Sequence, residues 1–369
     1  MRVSNLSFTT AASIMLWALL CVSAAPSRAE DLPPFTNRHE GSSLLTVENA
    51  PLLQAKGWKR AFWVVFDEIK DGSPVGLLGQ RIDDGSWQLQ EVPLTQPDPK
   101  IDDAEALARK DGFIYLVGSH FGKKKGKLEA ARQFVARFRE SKVQGTSPEV
   151  ALEIQRDDFK LHRLLNDALA QRNVNLIARG PSEEEEYIKK TQGSDEPGKG
   201  NVLKDDRALN IEGATFLDSG RLALGLRYPV TGQGEPLIVV LDDADAFFQP
   251  NRFPKVVAVW ILHGTGTPAQ PRGIRELNSG NGEIQAIVGS IERLSPESPI
   301  LKDHPDADKV TSEHRVFTAP AMEAKAIDSR RVRSLAPFGT VEGVSVDDCS
   351  DWYLFDEPTQ VRVLHEAHP

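Results

Sequence analysis

The sequence predicts a mainly β protein, a β-propeller of about six blades with one inserted amphipathic helix. Two observations favour the propeller: a glutamate followed by a turn and an apolar run occurs four times, and the last three copies are almost evenly spaced. Repetition at such a period is typical of arrays and propellers. A third observation, helical periodicity confined to one long stretch, predicts the single inserted helix.

The repeat places a glutamate ahead of each apolar run. The four glutamates are Glu105, Glu212, Glu276 and Glu342. The last three are separated by 64 and 66 residues, whereas 107 residues separate the first two. If that longer interval holds two units, one unit has about 50 to 65 residues, which suits a four-stranded blade with loop insertions. A weaker copy at Thr46, Val47 and Glu48 brings the count to about six blades. A β-sandwich with similar hairpins is the alternative.

The segment between about residues 147 and 206 departs from the repeat. Apolar residues from Phe159 to Leu169 recur at helical spacing, and Asp157 or Asp158 is placed to cap the start of a helix. Residues 181–206 carry an acidic run, lysines and glycines, which predicts a solvated, mobile loop. We therefore expect one domain from 30 to 369, with a helical and acidic insertion at about 147–206.

Residues 1–29 have the pattern of a secretory signal peptide. A basic residue, Arg2, precedes a short apolar stretch, and small residues flank Arg28 where a signal peptidase cuts. We expect export, a periplasmic or secreted location and a mature chain that begins near Glu30. No later stretch approaches the roughly 20 apolar residues that a membrane helix needs, so we expect no membrane span.

The net charge limits the kinds of partner to be expected, and the cysteine count limits the disulfides that can form. The formal net charge is −9, which argues against nucleic acid as the main partner. A small-molecule anion or another envelope protein remains as a partner class. Only Cys349 is left after removal of the signal peptide, so the mature chain has no intramolecular disulfide.

Four short motifs follow one another along the chain, and their joint order is the feature of interest. They are Asp67-Glu68, residues 117–120 with the lysine run 123–127, residues 210–214 and residues 225–229. Together they resemble a bacterial family catalogued as a domain of unknown function, number thirty-six sixteen. The resemblance covers most of the mature chain and implies a propeller-like exported protein, distantly similar to the esterase-like phytase group, with no established activity. The chain departs from the pattern in its long insertion and in its first motif, residues 47–49.

The repeated glutamates are candidate metal ligands. If each unit begins with its innermost strand, Glu105, Glu212, Glu276 and Glu342 point toward one axis, where they repel unless something neutralises them. A hard cation such as calcium or a set of Arg and Lys partners would do so. The alternative is that each glutamate closes its own blade through backbone hydrogen bonds or lies in solvent.

A second candidate site is an anion pocket. His120, Lys123 and Lys125 follow directly on a predicted strand, and Arg227 follows the equivalent strand of another unit. Lysines between glycines bind phosphate or carboxylate through charge and free backbone amides. The alternative is a solvated basic loop, with Arg227 as an ordinary salt-bridge partner.

Two functions remain open. One is an exported ligand-binding or scaffold propeller of unknown activity. The other is a metal-dependent phosphoesterase or esterase-like hydrolase, in which a carboxylate-bound cation and Lys or Arg groups polarise an ester. No catalytic residue is identified, since the sequence has no Gly-x-Ser-x-Gly nucleophile motif. The fold by itself does not choose between the two functions.

Overall fold

The computed structural model describes residues 30–32, 35–36, 40–67, 72–96, 100–123, 126–280, 282–292, 296–336, 340–347, 350–355 and 360–367. The predicted signal peptide at 1–29, Lys125 and Cys349 lie outside these residues.

The strands form five separate sheets, each of which begins with an inner strand and continues outward through hairpins. Two short strands, β1 (Glu30–Asp31) and β2 (Phe35–Thr36), precede the first sheet. Blade 1 comprises β3 (Gly41–Thr46), β4 (Trp58–Phe66), β5 (Val75–Arg81) and β6 (Trp87–Glu91). Blade 2 comprises β7 (Ala104–Lys110), β8 (Phe113–Gly118), β9 (Phe134–Arg139) and β10 (Glu153–Arg156). Blade 3 comprises β11 (Asn210–Phe216), β12 (Leu222–Tyr228), β13 (Leu237–Leu241) and β14 (Val256–Leu262).

The last two blades complete the set. Blade 4 comprises β15 (Arg272–Gly280), β16 (Glu283–Ser290), β17 (Glu313–Phe317) and β19 (Arg330–Ser334). Between β17 and β19, the chain adds β18 (Ala326–Ile327) in parallel to β14 of blade 3. Blade 5 comprises β20 (Val341–Asp347), β21 (Ser350–Phe355) and β22 (Gln360–Ala367).

The five inner strands close into a ring. They contact one another in the order β3, β7, β11, β15, β20 and back to β3. The N-terminal strands β1 and β2 both pair with β22, so blade 5 is built from both ends of the chain. The protein is therefore a five-bladed β-propeller closed by its own N-terminal segment.

Apolar layers fill the space between neighbouring blades. Successive side chains of a strand point to opposite faces, so a blade that is covered on both faces needs apolar residues at consecutive positions. In β4, Trp63 and Val65 pack against blade 2, whereas Phe62 and Val64 pack against blade 5. Burial of both faces explains why the sequences of these strands are short, continuous apolar runs.

Within the described residues, helices are few and short. The α-helices are α1 (Ala50–Lys56), α2 (Lys160–Gln171), α3 (Lys190–Gly193) and α4 (Pro299–Asp303). A π-helix spans Glu183–Lys189, and 3₁₀ turns span Ala130–Arg132, Glu140–Lys142, Lys199–Asn201 and Ala244–Phe248. No helix within the described residues is long and apolar enough to cross a membrane.

The predicted propeller is confirmed, but it has five blades rather than about six. The interval from Glu105 to Glu212 contains one blade and an insertion, not two blades. The insertion lies between Arg156 and Asn210, so the outer strand β10 occupies part of the range that the sequence assigned to it. The weak copy at Glu48 is not a blade start either, because blade 1 begins at Gly41.

The insertion contains the predicted amphipathic helix, α2. Leu161, Leu165 and Leu169 lie on its buried face and pack in the core between blades 2 and 3. Neither predicted aspartate caps it: the residue before the helix is Phe159, and the Asp157 carboxylate binds a histidine instead.

The acidic part of the insertion is a packed segment rather than the predicted solvated loop. Glu183, Tyr187 and Ile188 are buried. The Glu183 carboxylate accepts hydrogen bonds from the Arg207 guanidinium at 3.0 and 3.1 Å and from the Tyr228 hydroxyl at 2.6 Å. Since Tyr228 ends β12, this buried cluster attaches the insertion to blade 3.

Candidate functional site at one end of the axis

All five inner strands carry a one-residue β-bulge near their first residue. The extra residues, which we call the axial ring, are Ser42, Glu105, Glu212, Arg275 and Glu342. A bulge leaves one residue out of the ladder and changes the direction of its side chain. All five are buried. The axial ring therefore gathers one polar side chain from every blade at the end of the axis where the inner strands begin.

Arg275 links three blades within the axial ring. Its guanidinium is fully buried, lies 3.1 Å from Glu212 through Nε and Oε2, and also forms an ion pair with Glu342. Arg227, at the end of β12, approaches the other oxygen of Glu212 to 2.5 Å. Two of the four predicted metal ligands, Glu212 and Glu342, thus form ion pairs with arginines. Neutralisation by Arg or Lys partners is the alternative to a cation that the sequence left open.

Glu276 follows Arg275 and also reaches across the axis. Its carboxylate accepts hydrogen bonds from the Ser43 hydroxyl of blade 1 at 2.6 Å and from the Leu277 amide at 2.9 Å. Burial raises the pKa of Glu276 well above its usual value, although these hydrogen bonds act in the opposite direction. Asn278 donates to the Val344 carbonyl of blade 5 at 2.8 Å. Side chains of blade 4 therefore fill part of the axis.

Glu105 lies in a different environment, beside Asp67 and Asp103. One carboxylate oxygen from each of these three residues lies within 4.8 Å of the other two. Glu105 is 7% exposed, and within the described residues it forms no hydrogen bond or ion pair. Asp103, in contrast, binds Arg132 at 2.7 Å. Burial raises the pKa of Glu105 well above its usual value, and the neighbouring carboxylates, Asp103 first, raise it further.

The separations in this acidic cluster fit one bound cation. Calcium holds carboxylate oxygens at 2.3 to 2.6 Å, so two oxygens bound to the same ion are at most about 5 Å apart. On the axial ring, the neighbouring blade supplies Ser42, whose buried hydroxyl has no hydrogen-bond partner among the described residues. Two buried polar groups without partners thus belong to adjacent blades of the ring.

The candidates for an anion pocket are engaged elsewhere. His120 is buried, with Nε2 at 2.8 Å from Asp157 and Nδ1 at 2.8 Å from the Gly118 carbonyl. Lys123 is exposed and lies 3.2 Å from Glu129. Arg227 forms an ion pair with Glu212, as described above. Each of the three described candidates thus already has a carboxylate partner.

Sequence reasoning missed Ser42, Asp67, Asp103 and Arg275 as members of the site. The sequence does contain a pattern that identifies Arg275 as the ring residue of blade 4. The residue after the bulge is small in blades 2, 3 and 5, namely Ala106, Gly213 and Gly343. Aligning these small residues places Glu276 one position after the ring and Arg275 in it. An alignment of the repeat on its glutamates therefore selects Glu276, one residue after the ring position, in blade 4.

Comparisons with known proteins identify no relative by sequence. No family model matches the chain, and no curated protein matches it. The resemblance to the family of exported propellers therefore stays a prediction.

Several solved structures resemble the fold. An exo-1,5-α-L-arabinanase from a bovine ruminal metagenomic library is 12% identical, with a TM-score of 0.41 over 90% of this chain and 94% of the other. YCF48 bound to a D1 peptide is 11% identical, with a TM-score of 0.33 over 94% and 97%. A glucose dehydrogenase is 14% identical, with a TM-score of 0.40 over 93% and 99%. None of these similarities bears on what this chain binds.

Proposed function

We propose that this chain is an exported ligand-binding propeller whose axial end binds a divalent cation of the calcium class between Asp67, Asp103 and Glu105. The observation that carries the proposal is Glu105, a buried carboxylate without a partner in the described residues, next to two further carboxylates.

The charges around the axial end support a cation. Seven carboxyl groups belong to this region: Glu105, Glu212, Glu276, Glu342, Asp67, Asp103 and Glu292. Three guanidinium groups lie among them: Arg132, Arg227 and Arg275. Buried charges are stable only when they are paired. Carboxyl groups outnumber guanidinium groups, and Glu105 forms no ion pair among the described residues although Arg227 acts on it from a distance, so a cation bound beside Glu105 would add to the balance.

The donor chemistry points to a hard cation. The three side chains offer only carboxylate oxygens, and no histidine or cysteine belongs to the cluster. Calcium prefers such ligands and takes six to eight of them, whereas zinc favours nitrogen and sulfur. Three carboxylates leave coordination positions for backbone carbonyls, water or an oxygen of a bound ligand. The ligand-binding role follows from these open positions.

Binding is favoured over ester hydrolysis. A phosphoesterase needs cationic groups that are free to face the phosphate as negative charge develops. The guanidinium groups of Arg132, Arg227 and Arg275 are all engaged by carboxylates, and His120 is engaged by Asp157. We therefore expect no phosphatase activity at the axial site, with or without calcium.

The test is calorimetric titration of calcium into metal-free protein, together with melting curves in chelator and in millimolar calcium. We expect one ion per chain and a rise of a few degrees, since an ion at 100 times its Kd adds about 2.7 kcal/mol to the free energy of unfolding. Glu105→Gln should abolish both effects. Glu153→Gln, at an exposed glutamate of β10, is the matched control and should bind like the native protein. Identical native melting curves in chelator and calcium would reject the site.

A further inference from the structure

We infer that a cleft between blades 1 and 5 binds an acidic saccharide, a site separate from the axial cation site. The cleft has a volume of about 550 Å³. It lies at the end of the blades opposite the axial ring, where β4, β6 and β21 begin. Its lining includes Phe35, Lys59, Arg60, Trp87, Trp352 and His365.

Two tryptophans form the aromatic wall of the cleft. The rings of Trp87 and Trp352 are 5.2 Å apart, centroid to centroid, and Phe62 packs behind both. Trp352 is 3% exposed and is stacked with His365 at 4.2 Å, so its position is fixed. Trp87 is only partly buried and starts the outermost strand of its blade. A rigid, partly exposed indole offers apolar contact area at a low cost in conformational entropy.

The ionisable side chains in the described lining of the cleft are all basic, whereas the protein as a whole is acidic. Lys59, Arg60 and His365 line it, and none of the described lining residues is acidic, although the chain has a net charge of −9. Arg60 is held by Asp347 at 2.9 Å, and His365 lies 2.8 Å from the Ser350 hydroxyl. Lys59 is exposed and forms no ion pair in the described residues. A basic cleft on an acidic surface concentrates anionic ligands.

One ligand chemistry uses all of these features. A uronic acid presents one apolar ring face for an indole, hydroxyl groups for polar side chains and a carboxylate for a lysine. Trp87 supplies the aromatic surface, Lys59 the cationic group, and Gln80 and Ser86 polar groups on the same wall. The volume falls within the range of about 300–1,000 Å³ that is usual for small-molecule sites. A cationic ligand is disfavoured by the basic lining.

The test uses the full mature chain in chelator, so that the result does not depend on the axial cation site. A trisaccharide of galacturonic acid is titrated by calorimetry, with the trisaccharide of galactose as the neutral control. We expect the acidic trisaccharide to bind at least 10-fold more tightly and its affinity to fall as salt is raised, because salt screens the attraction to Lys59.

Two variants assign the binding to the cleft. Trp87→Ala should lower the affinity at least 10-fold. Lys59→Glu, at an exposed position, should lower it similarly with an unchanged melting temperature, and Lys309→Glu, at another exposed lysine, is the matched control. Native protein that does not bind at millimolar trisaccharide, equal affinity for both trisaccharides, or full affinity in Lys59→Glu would overturn the inference.

Discussion

The charge balance of the axis depends most directly on Arg275. Its side chain is fully buried between Glu212 and Glu342, which belong to blades 3 and 5. An ion pair inside a protein contributes little net stability when it is intact, but removal of one partner leaves an uncompensated buried charge. The arginine therefore acts as the internal counter-ion of two blades.

Replacement of Arg275 by Met should reduce the free energy of unfolding by about 3–5 kcal/mol, because Glu342 then loses its buried partner and Glu212 keeps only Arg227. Denaturant unfolding measures the change. Arg252→Met removes an exposed ion pair with Asp243 and should change stability by less than about 1 kcal/mol. Addition of Glu342→Gln to Arg275→Met should recover part of the loss. Equal effects of the two arginine substitutions would contradict the role of Arg275.

Glu276 predicts a pH dependence of stability. Burial raises its pKa in the folded state, so the folded protein holds this proton to a higher pH than the unfolded chain does. Stability from this group is therefore fully present below the usual glutamate pKa and is lost as the pH rises from there through the raised folded-state value. Glu276→Gln should flatten the decline of stability as the pH rises above the usual glutamate pKa, measured in chelator. The exposed control Glu153→Gln should leave the profile parallel to the native one.

At the scale of elements, close approach of blades 3 and 4 depends on glycines in the inner hairpin of blade 3. A Cβ at Gly225 would lie 2.3 Å from Ile274 Cγ2, and one at Gly213 would lie 2.8 Å from the same atom. Both distances are shorter than real carbon contacts. The apolar layer between blades 3 and 4 thus requires glycine at Gly213 of β11 and at Gly225 of β12.

Gly225→Ala should destabilise the protein by about 1–3 kcal/mol, because the added methyl group overpacks the layer that contains Ile274. Gly193→Ala is the control. Nothing lies within 4 Å of a Cβ there, and the change should stay within about 0.5 kcal/mol. Denaturant unfolding of both variants gives the comparison, and an unaffected Gly225→Ala protein would show that the two blades can move apart freely.

At the scale of the whole molecule, the ring is closed by the N-terminal segment. Glu30 pairs with His365 and Phe35 pairs with Val361 across β22. Leu32 is buried between these two short strands, and its amide donates to the Val363 carbonyl at 2.9 Å. The proposed signal peptide ends just before β1, so its removal would leave the closing strands intact.

A chain that begins at residue 37 should be less stable than one that begins at residue 30, because it lacks both closing strands. We expect a lower melting temperature and a loss of amide protection along β22, whose outer edge becomes exposed. Melting curves and hydrogen exchange of the two chains provide the measurement. The same melting temperature for both would mean that the ring is closed by packing of the inner strands alone.

The sequence by itself determined the features that depend on neighbouring residues. Short apolar runs separated by turn residues predict strands joined in hairpins, as in Phe62 to Phe66. Their repetition predicts a propeller, and the spacing of Leu161, Leu165 and Leu169 predicts the helix that is found. Hairpins and helices are local structures, so residues close in sequence carry most of the information about them.

Only the tertiary structure decided the number of blades and the membership of the site. A 107-residue interval is compatible either with two blades or with one blade and a packed insertion, and the choice depends on contacts such as Glu183 with Tyr228. A single-residue bulge brings Arg275 into the axial ring ahead of Glu276. Asp67 and Glu105 come from different blades. The approach of Asp67 to Glu105 depends on packing between neighbouring blades, and no local pattern encodes it, whereas the small residue after each bulge does mark the position of Arg275.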